Sequence, residues 1–158
     1  MRERVYRAGV IPFYVHEDGK IEMNFMIPSD TRYGGSDPQF CKGKVENSET
    51  HEDAAIREAI EELGLRENNV SWFSYLGQFL GYTHIYICEV TDREAFDEPH
   101  YETEETMWLT LEEFENSGRE LHRPVIREAH LEFEEIKREE DIGIYEDETY
   151  EYEKLSYL

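Results

Sequence analysis

Cysteine and proline are both scarce, with two and five in 158 residues. Cys41 and Cys88 form no CxxC pair, and two thiols do not make a disulfide framework. The chain must therefore hold itself together with a hydrophobic core, and a reducing cytoplasm is the expected location. Positive charge is scarce as well. There are 16 Lys and Arg against 38 Asp and Glu, a formal net charge of −22. Nucleic-acid binding depends on cations that neutralise phosphates, so long nucleic acid is disfavoured as a partner. A small anionic substrate requires bound metal ions or a local cluster of Lys and Arg to offset repulsion. No apolar window approaches the length of a membrane span. Charges interrupt the opening MRERVYRAGVIPFYV, so it is not a signal peptide. Neither an internal repeat nor a linker is visible. One domain over 1–158 is expected, long enough to bury a core.

The patterning alternates between extended and helical. Val5–Val15 reads as a strand, Asp18-Gly19 as a hairpin turn and Ile21–Ile27 as the returning strand. Ser29–Pro38 is a loop, followed by a short extended piece, Gln39–Cys41. Thr50–Leu63 is helical: Ala55, Ala59 and Leu63 recur at spacing four with Ile56 and Ile60 beside them. Thr50 or Ser48 is the N-cap, and Gly64 stands at the C-cap. Val70–Leu80 and His84–Val90 read as strands around Gly81-Tyr82-Thr83, and Thr106–Leu109 as a short one. Thr110 caps a helix over Leu111–Asn116. Pro124 opens another to about Glu139, with Val125, Ala129, Phe133 and Ile136 on one side. The stretch 141–158 reads as an added strand or a loose acidic tail.

Glu58, Glu61 and Glu62 fall at i, i+3 and i+4, one face of the 50–63 helix. Three carboxylates that close repel one another. Hard cations such as Mg²⁺ or Mn²⁺, which prefer oxygen ligands, would relieve the repulsion. Such ions polarise phosphoryl groups and lower the pKa of bound water. From the three glutamates alone, a solvated acidic face is the better explanation in a chain this rich in Glu.

The wider segment narrows the choice. GKVENSETHEDAAIREAIEELGL resembles the Nudix box, G-x5-E-x7-R-E-U-x-E-E-x-G-U, where U is bulky and apolar. Gly43, Glu49, Arg57, Glu58, Glu61, Glu62, Gly64 and Leu65 all match. Ala59, apolar but small, departs at the first U. The resemblance implies an α+β fold, a Nudix-like α/β/α sandwich with a mixed β-sheet between helices. It implies catalytic metal ligands at Glu58, Glu61 and Glu62, joined by the Gly43 carbonyl. Glu49 and Arg57 would be a supporting pair that orients the site. The cofactor would be Mg²⁺ or Mn²⁺.

Further positions follow from the same resemblance. Lys42 lies in a C-K-G-K-V-E lead-in similar to the family's P-K-G-x-x-E, where it could meet a substrate phosphate. Cys41, standing where Pro is common, is read as a small buried residue rather than a nucleophile. The segment YETEETMWL resembles the acidic stretch from which Nudix enzymes draw an extra carboxylate. Glu102 is the first candidate and Glu105 the second. Tyr82 stands 17 residues past Leu65, a spacing similar to that of dinucleoside polyphosphate hydrolases, and could stack on a base. Two groups, Arg2/Arg4/Arg7 and Arg119/His122/Arg123/Arg127, are read as surface charge. His51 and His84 are read as structural or exposed.

The expected activity is divalent-metal-dependent hydrolysis of the diphosphate linkage in a nucleoside diphosphate derivative, diadenosine polyphosphates first and ADP-ribose second. Removal of an RNA 5′ cap or triphosphate would need a basic track. A non-catalytic nucleotide sensor would be expected to lack box carboxylates. The expected partner is a small nucleotide. No membrane is expected, and the oligomeric state stays open, a homodimer included.

Overall fold

The computed structural model describes residues 4–145. In chain order the elements are β1 (Arg7–Val15), β2 (Ile21–Pro28), β3 (Cys41–Lys44), α1 (His51–Leu63), β4 (Val70–Phe79), β5 (Thr83–Val90), β6 (Thr103–Leu109), α2 (Leu111–Ser117) and α3 (Arg123–Tyr145). Short 3-10 turns occupy Thr31–Tyr33, Glu67–Asn69 and Glu120–His122. The sheet is mixed, in the order β4-β5-β1-β2-β6, with β3 also on β1. β1 runs parallel to β5 and antiparallel to β2 and β3.

Strand alternation sends side chains to two faces. Ile11 and Phe13 of β1, with Phe25 of β2, join Phe114 of α2 and Val125, Ala129 and Phe133 of α3 in one buried cluster. Phe13 stacks on Phe133 at 4.2 Å and Phe25 on Phe114 at 4.3 Å. Each such ring contributes roughly 1.5–3 kcal/mol through burial. On the other face, Ala8, Val10, Met26, Cys41 and Cys88 meet Ala54, Ala55, Ala59 and Leu63 of α1. Helices on both faces of a mixed sheet make the Nudix-like sandwich. Small alanines let α1 lie close to β1, and Ile60, 40% exposed, turns outward instead of joining the stripe.

α1 is fixed at both ends. Thr50, not Ser48, caps it, its Oγ1 accepting from Asp53 N at 3.0 Å. Gly64 closes it at φ 75°, and a Cβ there would stand 1.8 Å from the Asp97 carbonyl oxygen. The helix's terminal carbonyls are taken up by one segment: Asp97 N donates to Gly64 O and His100 N to Glu61 O, both at 2.7 Å. Thr103 Oγ1 donates to Glu62 O at 2.8 Å.

Several boundaries differ from the sequence reading. β6 begins at Thr103 rather than Thr106, because a bulge at Ile27/Pro28 carries its pairing with β2 further back. The 39–41 piece becomes β3 at Cys41–Lys44 through its ladder with β1, and Gln39 bridges to Met26. α3 continues through 141–145, so the start of the last stretch is helical rather than strand or tail. Residues 146–158 lie outside the described residues. Among the described residues no helix is long and apolar enough to cross a membrane.

Candidate active site

The β1–β3 ladder pairs Arg7 with Lys44, Ala8 with Gly43 and Gly9 with Lys42. The lead-in of the box therefore lies beside the start of β1, and α1 packs against it. Gly43 and Glu58 touch so closely that a Cβ on Gly43 would stand 2.1 Å from the Glu58 carboxyl carbon. Only glycine leaves that carboxylate its place.

Arg57 braces the box. Its Nε donates to Glu49 Oε2 at 2.8 Å and its Nη2 to Glu49 Oε1 at 3.1 Å and to the Lys44 carbonyl at 3.0 Å. Its Nη1 reaches Glu58 Oε1 at 2.9 Å and Glu61 Oε2 at 3.5 Å. One guanidinium thus ties the loop before α1 to the carboxylate face of α1. These contacts raise its pKa, the Glu49 hydrogen bonds most of all.

A cavity of about 870 Å³ opens between α1, β3, the 28–40 segment and the 101–102 segment. Glu58 and Glu62 stand on one wall and Glu102 on its rim. The carboxyls of Glu58 and Glu62 share a hydrogen bond. Burial, followed by the charge of Glu58, pushes the Glu62 carboxyl up to about 9. Glu58 is raised by burial too, against the pull of Arg57. Burial and like charge both disfavour ionising the two carboxyls together, which favours sharing one proton between them.

The other walls carry opposite charge. Arg7, Lys42, Lys44 and Arg119 line the cavity, and among the described residues none of them has a carboxylate within 4.0 Å. Burial first, then Arg119 and Arg7, lowers the pKa of Lys42. Tyr33 and Tyr101 stand at the mouth, 73% and 78% exposed.

The structure thus brings together Lys42, Gly43, Glu58, Glu62 and Glu102. It separates others. Glu61 lines a shallower groove with Asp53, Arg57, Ile60 and Glu67. Correspondingly, no three His, Cys, Asp or Glu side chains among the described residues converge as a ready metal cage. Glu105 pairs with Ile27 and by alternation shares the face of Met107, which packs toward α2 and α3. It does not line the cavity. Tyr82 lies at the β4–β5 turn, its ring 5.3 Å from that of Tyr6 and under the Arg4 guanidinium. It does not line the cavity either. Cys41 is fully buried, its Sγ donating to Val10 O at 3.2 Å. Burial pushes its thiol well up, so it is no nucleophile. Sequence reasoning missed Arg7, Arg119, Tyr33 and Tyr101 as cavity residues. Topology brings these four together, and no local pattern marks them.

The NUDIX domain family model matches residues 13–129. The chain belongs to the Nudix family. Nudix hydrolase 16, mitochondrial, of Arabidopsis thaliana is 34% identical, over 79% of this chain and 77% of that protein. An Ap4A hydrolase of C. elegans, solved as a binary complex, superposes with a TM-score of 0.66 at 18% identity, covering 82% of this chain and 98% of that one. The NUDIX domain of NrtR from Shewanella oneidensis, solved with ADP-ribose, gives 0.63 at 11% identity, covering 84% and 90%. At these identities the two structures show a shared fold.

As a member of the Nudix hydrolases the chain is a pyrophosphohydrolase, and the family generally works with divalent metal cations. The donor set fits such a cation. The Glu58 carboxylate presses against the Gly43 backbone, Glu62 stands beside it on the same wall, and the two carboxylates and the glycine carbonyl all offer oxygen.

Proposed function

We propose that this Nudix hydrolase cleaves a phosphoric anhydride bond in a small dinucleoside polyphosphate, with Mg²⁺ or Mn²⁺ held by Glu58, Glu62 and the Gly43 carbonyl, and with Glu61 beside them. One observation carries the reading: a carboxylate wall suited to metal ions faces Arg7, Lys42, Lys44 and Arg119, which have no carboxylate partner among the described residues, across one cavity. That pairing suits a compact substrate with several phosphates. It also explains how a chain of net charge −22 can bind an anion at all.

The bound cation supplies polarisation of a phosphoryl oxygen and a water of lowered pKa. The chain's residues do the rest. Lys42 and Arg7 hold phosphate oxygens and align the bridge along the Glu58–Glu62 wall. Glu102, near enough to raise the pKa of Glu62, accepts the proton of the attacking water. Water oxygen joins phosphorus, the bridging P–O bond breaks, and the bridging oxygen leaves with the second product. Tyr33 and Tyr101 offer exposed rings on which bases can stack. Glu49 and Arg57 keep the box in shape.

The test is a competition with Mg²⁺ at near-physiological salt. Diadenosine tetraphosphate, ADP-ribose and a 5′-triphosphorylated RNA are offered at equal concentration. The expected order of kcat/KM has the tetraphosphate first and the RNA last. A preference for RNA overturns the charge argument, and a preference for ADP-ribose rejects the dinucleoside reading while leaving the family activity intact.

A further inference from the structure

Arg119 lines the cavity half-buried. Arg57 and Arg93, equally half-buried, hold Glu49 and Glu22. Arg119, like Arg7 on the same cavity, holds no carboxylate among the described residues, and it differs from Arg7 in being fixed by neutral side chains. Its backbone N donates to Pro38 O at 2.8 Å, which pins the turn before α3 to the β2–β3 loop. Its Nη1 donates to Gln39 Oε1 at 3.2 Å and lies 3.1 Å from His122 Nε2.

Both partners are neutral, and both are buried. Gln39 is 3% exposed and His122 fully enclosed, stacked on Phe40 at 3.9 Å. Burial, with Arg119 and Lys42 adding to it, holds the His122 imidazole down to about 2, so its ring stays uncharged and its Nε2 accepts. Gly34 gives the arrangement room, since a Cβ there would stand 2.5 Å from Gln39 Oε1 and 2.8 Å from Arg119 Nη1.

Two neutral acceptors orient a guanidinium without neutralising it. They occupy only Nη1, so Nε and Nη2 have no protein partner among the described residues. That edge is the fork that receives a phosphate through two parallel hydrogen bonds. Arg119 and Lys42 line one cavity, and with no carboxylate on either among the described residues their like charges oppose each other until an anion lies between them.

Resting on the reading of the cavity given above, we propose that Arg119, oriented by Gln39 and His122, is a phosphate-binding subsite that selects substrates carrying a further phosphate beyond the cleaved diphosphate. Glu58 and Glu62 mark the end where cleavage occurs, and Arg119 reads the phosphate at the far end of the bridge. ADP-ribose, with two phosphates, leaves the fork empty. A dinucleoside tetraphosphate fills it.

Two measurements test this. In metal-free buffer, inorganic pyrophosphate is titrated into ¹⁵N-labelled protein while the Arg119 Nε–Hε resonance is followed. Saturable movement of that resonance is expected, larger than that of exposed Arg138, and lost for the pyrophosphate response of the remaining cavity signals in R119A. A stationary Arg119 signal overturns the proposal whatever the enzyme hydrolyses. Kinetically, R119A is expected to lower kcat/KM for diadenosine tetraphosphate about 10- to 100-fold, mainly through KM, with a change below about threefold for ADP-ribose. R119K, which keeps charge without the fork, recovers part of the loss. An equal loss for both substrates, or none, overturns the proposal. If neither nucleotide is hydrolysed by the wild type, the dinucleoside reading of the cavity fails, and the resonance titration still decides the subsite.

Discussion

Replacing Glu62 by Gln should make the metal-free protein less sensitive to pH while abolishing its response to metal. The Glu62 carboxyl is raised from 4.5 to about 9, by burial first and by Glu58 second. A raised folded-state pKa contributes stability that is complete below about 4.5 and disappears as pH rises through about 9. Between those limits the folded chain holds a proton that the unfolded chain has released. Stability then falls by about 1.4 kcal/mol per pH unit at full linkage. From pH 6 to pH 8 the wild type should lose on the order of 2–3 kcal/mol more than E62Q, roughly 5–10 °C in Tm for a chain of this size. Gln keeps the side-chain volume and has no proton to lose. The assay is thermal unfolding in excess chelator at fixed ionic strength. The difference between the two proteins is read, because repulsion among the other acids is common to both. Adding Mg²⁺ should stabilise wild type more at pH 8 than at pH 6, since a cation must displace the proton, and should leave E62Q nearly unmoved. Parallel pH profiles for the two proteins would refute the shared-proton account of the Glu58–Glu62 pair.

Three further outcomes are expected. Excess chelator should abolish hydrolysis and Mg²⁺ or Mn²⁺ restore it, while E62Q should lose on the order of 10²-fold or more in kcat with its circular dichroism spectrum intact; full turnover in chelator would count against a metal-dependent site. Gly43→Ala should displace the Glu58 carboxylate, whose flexible end can yield, so activity should drop at least about tenfold with Tm nearly unchanged; equal rates would show that the contact is not part of the site. His122, held at about 2 against an ordinary 6.5, favours the fold while neutral, so stability should fall as pH drops below 6.5, and H122N should flatten that limb in a chelated thermal-melt series.

The sequence by itself determined what depends on local spacing. Glu58, Glu61 and Glu62 had to share a helical neighbourhood, Thr50 and Gly64 had to bound that helix, and the fixed positions from Gly43 to Leu65 marked the family. Apolar runs rich in aromatic and β-branched residues foretold β1, β2 and β5 to within a few residues, because strands covered on both faces stay apolar along their length. Tertiary structure decided how distant residues meet. The β1–β3 ladder, not composition, set Arg7 beside Lys44, two residues from Lys42. The bulge at Ile27/Pro28 and the clamp of residues 97–103 on the end of α1 set Glu102 on the rim and turned Glu105 away. Arg57, drawing on Glu49, Glu58 and Glu61 together, stands where the helical face divides, so that Glu62 enters the cavity and Glu61 lines the neighbouring groove. Packing of Tyr82 on Tyr6 removed a ring that spacing had placed with the substrate. Arg119 reached the cavity only because its turn is pinned to Pro38, in a loop far away along the chain. Periodicity records which face a residue takes on its own element. Convergence in space depends on which elements become neighbours, and that is fixed only when the whole core packs.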